Sequence, residues 1–505
     1  MNNKKRTYIT LFSSAGVGCY GFKLNGFECI ATNELLDVRL SVQKANHKCK
    51  YESGYIGGDI TNVETHKKLF DEINMWKEKE GVSQVDVVFA TPPCQGMSTA
   101  NYKKTDDEQI RNSLVVQAIK LISQIQPKIF IFENVRAFMK TICTDTDGKD
   151  KPIKDSIYGN LADRYNIFYR VINFKDYGVP SSRPRTLVIG TSKEYPTLSP
   201  LSLFPSRHKE IKLREAIGDL ASLDYGQKDN SDYLHFARLF PKEQLDWIKN
   251  LKEGQSAFDQ PIEYQPGHYD EKGNKVVNKG AYMGNKYRRL VWDKVCSCIH
   301  TRNDVLSSQD TIHPKDNRVL SIRELMRVMT IPDSFHWTDY DDKVTMDNAD
   351  EYLKANELNI RRCIGEAVPT QIMKNVAYKI KIALSSIDNH FLSDQSDFFN
   401  SIKDISFDRD NVRIKVKEAC YIIKYLPQIA GFFADKTKVE ICCIDFSIED
   451  TCAAKEILKL WDLQDFIKLS FVTLDKASNH TYHYTLDGSM LSSYKESVQL
   501  SLFNL

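Results

Sequence analysis

Short apolar segments alternate with amphipathic segments through the first 190 residues, and this alternation constrains the fold more than any other feature of the chain. The apolar segments, each of strand length, are residues 8–12, 28–32, 85–90, 128–132 and 186–190. Between the third and the fourth, residues 112–126 carry apolar side chains at helical spacing. Strands that alternate with helices predict an α/β fold with a doubly wound, mostly parallel sheet. Ligands bind such sheets at the carboxyl ends of the strands.

The rest of the 505-residue chain changes in character. Residues 195–320 are rich in Pro, Gly, Tyr and charge and have poor periodicity, and residues 321–338 regain helical spacing. Together they predict a smaller, loop-rich domain over residues 195–354. Helical periodicity returns over 355–385, and we expect residues 355–390 to complete the catalytic and cofactor domain formed by residues 1–194. Residues 391–505 contain apolar strands of their own, which predicts a C-terminal α/β extension of unknown role.

Charge and cysteine content narrow the class of protein only slightly. A net charge of +2 does not by itself indicate a nucleic-acid partner. The start of the chain lacks the apolar core of a signal peptide, and no apolar run approaches the roughly 18 residues of a membrane span. We therefore expect a cytoplasmic protein with free thiols and no membrane association. Cys296, Cys298 and His300 are metal-ligand types, but no second pair completes a four-ligand set, so no metal site is expected.

A cofactor site is indicated at three successive strand ends. Residues 10–18 are mostly small and open a helix directly after the first strand, so that a ligand can approach the backbone amides. Glu34 follows the second strand, where a carboxylate can bind ribose hydroxyls. Asp59 follows a pair of glycines and is placed to accept from an adenine amino group. Either acid alone is better explained as a helix N-cap or surface residue, but the three features at successive strand ends together predict a nucleoside-bearing cofactor.

A nucleophile is indicated at the end of the next strand. Cys94 stands in the run Thr-Pro-Pro-Cys-Gln, where two prolines hold the thiol in one place. Glu133 ends the following strand and is a candidate neighbour in space. Arg183 and Arg185 enter a further strand two residues apart, so that both side chains share one face. A thiol beside a carboxyl group suits covalent attack on a ring that protonation has made electrophilic.

In this order, the motifs resemble those of bacterial C5-cytosine DNA methyltransferases of restriction-modification systems, over roughly residues 6–385. The matching segments are residues 12–16 with 21–22 (cofactor loop), 93–95 (Pro-Cys-Gln), 133–135 (Glu-Asn-Val), 183–185 (Arg-x-Arg), 318–324 and the closing motif 365–369. Three residues depart from the usual pattern: Ser14 replaces a Gly, Ser181 a Gln and Glu366 an Asn. None of them makes or breaks a covalent bond, so activity is expected. Glu366 is expected either to engage the ammonium of the methionine moiety or to face solvent.

The resemblance implies methyl transfer from S-adenosylmethionine to C5 of a cytosine flipped out of double-stranded DNA at a specific sequence, through an adduct between Cys94 and C6. Glu133 would contact N3 and the exocyclic amine, and Arg185 would bind O2; with Arg183 they form the expected catalytic set. The expected cofactor-binding residues are Phe12, Ser13, Ala15, Gly16, Gly18, Glu34, Asp59, Ile60, Pro93, Glu366 and Val368.

By the same resemblance, residues 195–354 would be the target-recognition domain. Candidate DNA-binding residues are Gln95, Ser98, Arg111, Arg288, Arg289 and Arg302, although an exposed loop or solvated surface explains any one of them. Two alternative functions stay open: a cytosine-5 methyltransferase acting on tRNA, and a catalytically inactive DNA-binding homologue.

The end of the chain carries a second short motif. Gln499, Leu500, Leu502 and Phe503 resemble the peptide by which bacterial replication proteins bind the sliding clamp, with a terminal strand as the alternative. The partners expected are therefore DNA, this clamp and a cognate restriction endonuclease. The chain is expected to be a monomer associated with the nucleoid.

Overall fold

A computed structural model describes residues 5–93, 113–196, 198–277 and 283–388, together with six strands and a few helical residues between 402 and 495. Cys94, Gln95, Ser98 and Arg111 lie outside these described residues, as does the peptide 499–503.

The chain forms two compact units. The first comprises Met1–Asp163, Tyr169–Val188 and Arg207–Ala377, and the second comprises Arg164–Phe168, Ile189–Ser206 and Tyr378–Leu505. The expected domain boundaries at residues 194, 354 and 390 stay a prediction.

The main sheet has seven strands in the order β3-β2-β1-β4-β5-β9-β8. Its strands are β1 (Arg6–Leu11), β2 (Phe27–Glu34), β3 (Tyr55–Gly57), β4 (Val87–Ala90), β5 (Ile129–Val135), β8 (Tyr165–Asn173) and β9 (Pro184–Ser192), and a separate ribbon pairs β6 (Ile142–Thr144) with β7 (Asp150–Pro152). The pairings from β3 through β5 are all parallel. The strand order reverses between β1 and β4, so the prediction of a doubly wound α/β sheet is confirmed. Every residue of β4 is buried, as its continuous apolar run predicts.

The helices described are α1 (Tyr20–Lys23), α2 (Asp37–Ala45), α3 (Val63–Glu80), α4 (Leu114–Ile125), α5 (Ile153–Leu161), α6 (Leu213–Ile217), α7 (Lys242–Asp246), α8 (Ile322–Val328), α9 (Ala349–Glu366) and α10 (Thr370–Asp388). Local sequence explains their ends. The Asn62 side chain accepts from the amide of Glu64 at the start of α3, and Gly81 ends that helix with φ 67. Pro369 excludes helical geometry just before it and separates α9 from α10. This break leaves Glu366 and Val368 at the end of α9, close to the main sheet's ligand-binding edge.

Residues 207–354 contain short elements joined by loops, including a hairpin of β10 (Gly267–Tyr269) and β11 (Lys275–Val277). A buried ion pair stabilises this region: both carboxylate oxygens of Glu324 accept from Arg318, at 2.7 and 2.8 Å. Burial alone would raise the pKa of Glu324, but the Arg318 guanidinium overrides it and lowers the pKa to about 2.

The second unit contains a mixed six-stranded sheet in the order β12 to β17. Its strands are β12 (Ile402–Phe407), β13 (Asn411–Glu418), β14 (Lys438–Asp445), β15 (Ile467–Asp475), β16 (His480–Thr485) and β17 (Met490–Lys495). Parallel pairing is confined to β13, β14 and β15, and the outer pairs are antiparallel. None of the helices in the described part of the chain is long and apolar enough to cross a membrane.

Candidate active site

A cavity of about 700 Å³ opens at the carboxyl ends of β1 and β4, where the strand order reverses. Its walls are the segments that follow β1, β2, β3, β4 and β5, together with residues 298–301 and 363–368. A site at this topological switch point is the usual ligand position in a doubly wound sheet. Its volume lies within the range of about 300–1,000 Å³ typical of small-molecule sites.

All of the residues expected to bind the cofactor line this one cavity. Residues 12–18 reach it because the loop after β1 turns sharply: Phe12, Ser14 and Gly16 have φ angles of 57, 44 and 77°. Gly18 faces the closing motif so closely that a Cβ there would lie 2.9 Å from Cβ of Val368. The glycine therefore allows residues 366–368 to pack against the cofactor loop and to complete the cavity wall.

The two acids of the cofactor site also organise their own loops. Glu34 accepts from the backbone amides of Ser14 at 2.7 Å and Leu36 at 3.1 Å, which fixes the loop after β1. Asp59 accepts from the amide and the hydroxyl of Thr61 at 2.8 and 2.9 Å. Both carboxylates line the cavity and also accept from groups of their own loops. Their role in cofactor binding stays a prediction.

Glu133 and Arg185 meet on one wall of the cavity. Arg185 Nε lies 3.3 Å from Oε1 of Glu133, whose side chain is only 8% exposed. Burial raises the pKa of Glu133, while Arg185 and then Arg183 act in the opposite direction without cancelling it. The neighbouring Asn134 donates to the carbonyl of Pro92 at 2.8 Å. This bond ties the end of β5 to the double proline that precedes Cys94.

Arg183 lines the cavity, but internal acceptors occupy most of its guanidinium. It donates to the carbonyls of Ile299 at 2.6 Å and Gly365 at 3.1 Å, and it contacts Sγ of Cys298 at 3.4 Å. These bonds join residues 298–299 to the closing motif. Arg183 is thus held by internal partners, whereas Arg185 faces Glu133. The catalytic role expected for Arg183 stays a prediction.

Cys298, His300 and Thr301 also line the cavity, and the sequence analysis did not assign them to it. A long-range backbone contact brings them there: the backbone amide of Ser182 donates to the carbonyl of Cys296 at 2.8 Å. Local sequence gives no signal for such a contact. Burial lowers the pKa of His300, which favours the neutral form of its ring. The described residues contain no group of three or more His, Cys, Asp or Glu side chains arranged to hold a metal ion.

Of the four arginines expected to contact DNA, Arg111 lies outside the described residues, and the other three differ in exposure. Arg302 is exposed and pairs with Asp304, and Arg288 is partly exposed and donates to the carbonyl of Gly254. Arg289 is 3% exposed, and its guanidinium donates to the carbonyls of His313, Asp316 and Ile248 and to Oδ1 of Asn317. The expectation that Arg289 contacts DNA is corrected, because its donors stabilise the interior of its own region.

Residues 7–382 match the family model of C-5 cytosine-specific DNA methylases. The chain belongs to this family. It is 30% identical over 387 residues to the Type II methyltransferase M1.HgaI of Avibacterium volantium, which covers 74% of this chain and 97% of that protein. It is 29% identical over 331 residues to the Type II methyltransferase M1.HphI of Haemophilus parahaemolyticus, with 65% and 78% of the two chains covered.

The C-5 cytosine-specific DNA methylase assignment confirms the family resemblance predicted from the motifs. This methylase is an enzyme that uses S-adenosylmethionine as methyl donor and DNA as substrate, and it groups with methyltransferases of type II restriction-modification systems. The matches favour neither of the alternatives, a tRNA methyltransferase or an inactive homologue. The region beyond residue 382 lies outside the family match.

Proposed function

We propose that this methylase modifies a cytosine flipped out of the duplex, through a covalent bond between Sγ of Cys94 and C6 of the ring. The observation that carries the proposal is the buried Glu133 carboxyl, which lies beside Arg185 in the same cavity that Pro93 lines. Cys94 is the next residue after Pro93 in the chain. A nucleophile, a proton donor and a cation are thereby assigned to one site.

The chemistry follows from the polarity of the ring. C5 of cytosine is a weak nucleophile until the Cys94 thiolate adds its electron pair to C6. The pair displaced from the C5–C6 bond is then available at C5, and a proton given to N3 keeps the ring neutral. After C5 has gained the methyl group, removal of its proton restores the C5–C6 double bond and expels the thiolate, and N3 returns its proton to Glu133, so that a neutral base is released.

Glu133 suits the role of proton donor because burial raises its pKa. A carboxyl group with a raised pKa stays protonated closer to neutral pH, which general acid catalysis requires. Arg185 lies where it can offset the negative charge that develops on O2. The hydrogen bond from Asn134 to the carbonyl of Pro92 links the strand that carries Glu133 to the prolines that precede Cys94.

The side chains that line the cavity fit S-adenosylmethionine. When bound, this cofactor supplies an electrophilic methyl group. The carboxylates of Glu34 and Asp59 can accept from ribose hydroxyls and the adenine amino group, and Phe12, Ile60 and Val368 provide apolar surface. Ser13, Ala15, Gly16, Gly18, Pro93 and Glu366 form the remaining walls.

A stacked cytosine cannot present C6 to a thiol, so the base must leave the helix. We infer that residues 195–354 recognise the DNA sequence, with Arg288 and Arg302 among the contacts. Gln95, Ser98 and Arg111 follow the nucleophile in sequence and are assigned to the same DNA-binding surface.

Further partners are proposed from the motif at residues 499–503 and from the similarity to type II methyltransferases. We infer a monomer in the cytoplasm, associated with the nucleoid, that protects DNA against a cognate restriction endonuclease. Gln499, Leu500, Leu502 and Phe503 are proposed to bind the sliding clamp. A pull-down with and without residues 499–505 tests this, and equal recovery of the clamp would contradict it.

The proposed function is tested by bisulfite sequencing of plasmid DNA after expression of the protein, because 5-methylcytosine resists conversion. We expect unconverted cytosines in one sequence context. Cys94→Ser should abolish this signal while cofactor binding persists. Unchanged methylation by Cys94→Ser would overturn the mechanism.

A further inference from the structure

Two departures from the family's usual residues touch each other at the edge of the cavity. The hydroxyl of Ser14, in the cofactor loop, donates to Oε2 of Glu366 in the closing motif at 2.9 Å. The two positions are 352 residues apart in the chain. A glycine at position 14 would have no donor for this carboxylate, so the two unusual residues form one interaction.

Arg39 of α2 completes the contact. Its Nε and Nη2 donate to the two carboxylate oxygens of Glu366 at 3.1 and 2.9 Å, a two-pronged geometry that makes strong charge-assisted bonds. The Arg39 side chain is 5% exposed, and its Nη1 is held by Asn359 and by Sγ of Cys363. Glu366 is thus already paired with Arg39, although its side chain is 38% exposed.

The Ser14 backbone explains why such support is needed. Its φ of 44° lies in the left-handed region, which residues with a side chain rarely adopt. Such a conformation persists only where several contacts determine it. The amide of Ser14 donates to Glu34, and its carbonyl accepts from Nε2 of Gln43 at 2.5 Å. The bond to Glu366 adds the side chain to these backbone restraints and links the loop to α2 and α9.

We propose that Arg39 and Glu366 are positioning residues for the cofactor, which hold Ser14 and the loop of residues 12–18 in the binding conformation before the ligand arrives. The inference rests on the proposed placement of the cofactor in this cavity. A loop that is already ordered pays less entropy on binding. Loss of the contact between Ser14 and Glu366 should therefore weaken cofactor affinity. The turnover of the saturated enzyme should stay nearly unchanged.

Calorimetric titration with S-adenosylhomocysteine, which binds without turnover, tests the proposal in Glu366→Ala, Ser14→Ala and the double variant. We expect Kd to rise about tenfold in Glu366→Ala and about threefold in Ser14→Ala, with the double variant within about twofold of Glu366→Ala, because residues that act through one contact are not additive. Glu366→Gln keeps an acceptor for Ser14 and should restore part of the affinity. At saturating S-adenosylmethionine, kcat should stay within about twofold of wild type.

Two controls separate the possible outcomes. Asp293→Ala breaks the equally two-pronged but exposed pair with Arg214, outside the cavity, and should leave Kd unchanged. Asp59→Ala tests the placement of the cofactor: unchanged binding by that variant would contradict the placement itself. If Asp59→Ala weakens binding but Ser14→Ala keeps the wild-type Kd, only this inference is overturned and the placement of the cofactor stands. Ser14→Ala decides this even if Glu366→Ala fails to fold. Fully multiplicative effects of Ser14→Ala and Glu366→Ala would overturn it too.

Discussion

Glu133 keeps a raised pKa although Nε of Arg185 lies 3.3 Å from its carboxylate. Burial of the carboxyl group disfavours its charged form more than the two nearby arginines favour it. The pair thus combines an acid whose raised pKa favours its protonated form with a cation beside it. This arrangement suits activation of a neutral ring better than a fully ionised salt bridge would.

Removing the acid should slow chemistry without affecting cofactor binding. We expect Glu133→Gln to lower the single-turnover rate of DNA methylation by about 10²–10⁴-fold, the usual contribution of a general acid. The Kd for S-adenosylhomocysteine should be unchanged, because the glutamine keeps the shape of the side chain. A rate within threefold of wild type would contradict the role assigned to Glu133.

The raised pKa of Glu133 also predicts a pH dependence of stability. The folded protein retains a proton that the unfolded chain loses near pH 4.5, the ordinary pKa of the group. The free energy of unfolding should therefore fall as pH rises from that value through the folded pKa. Glu133→Gln has no such proton, so its unfolding free energy should lack this part of the slope.

Urea unfolding between pH 4.5 and 8 measures the effect, with the exposed Glu263→Gln as the matched control. Glu263→Gln should keep the wild-type slope. Identical slopes for wild type and Glu133→Gln would show that burial does not hold the proton on Glu133.

Substitution of Arg289 should lower stability, whereas substitution of Arg302 should lower DNA affinity. Arg289→Ala strands the buried carbonyls of His313 and Asp316, and each unsatisfied acceptor costs about 1–3 kcal/mol, so a loss of about 2 kcal/mol or more is expected. Arg302→Ala should change stability by less than about 0.5 kcal/mol. It should instead weaken DNA binding. The slope of the logarithm of the binding constant against the logarithm of salt concentration should become smaller by about one.

Chemical unfolding and salt-dependent DNA binding, measured on both variants, check this contrast. A stable Arg289→Ala protein with a reduced salt slope would restore the original expectation that Arg289 contacts phosphate.

Gly365 is required by close packing. A Cβ at this position would lie 2.5 Å from the backbone carbon and oxygen of His300. Because backbone atoms cannot move aside cheaply, Gly365→Ala should destabilise the protein by about 1–3 kcal/mol. Gly159→Ala in α5 is the control: its Cβ would meet nothing within 4 Å, and the change should stabilise the helix by about 0.5–1 kcal/mol. Thermal unfolding of both variants measures the difference, and equal effects would contradict the packing argument.

The sequence predicted the parts of the fold that local pattern determines. The apolar runs before Cys94 and Glu133 became β4 and β5, and the helical spacing of residues 112–126 became α4 at Leu114–Ile125. The three-residue β3 and the half-exposed β8 were not predicted, since neither has a continuous buried run.

For the site, the sequence predicted residues that follow strands, because the sheet brings strand ends together whatever the loops do. It could not separate buried Arg289 from exposed Arg302, since both stand in irregular segments whose burial depends on distant packing. The approach of Cys298 to the cavity and of Glu366 to Arg39 likewise depends on long-range contacts.

The central claim, attack of Cys94 on C6, is tested most directly with a duplex that carries 5-fluorocytosine at the methylated position. Fluorine cannot leave C5 as a cation, so the final expulsion of the thiolate stops. With S-adenosylmethionine present, we predict a complex that survives denaturing electrophoresis, whose peptide mass places the nucleotide on Cys94, and which Cys94→Ser does not form. A trapped nucleotide on another cysteine, such as the cavity-lining Cys298, or no trapped complex from an enzyme that methylates ordinary DNA, would contradict the account.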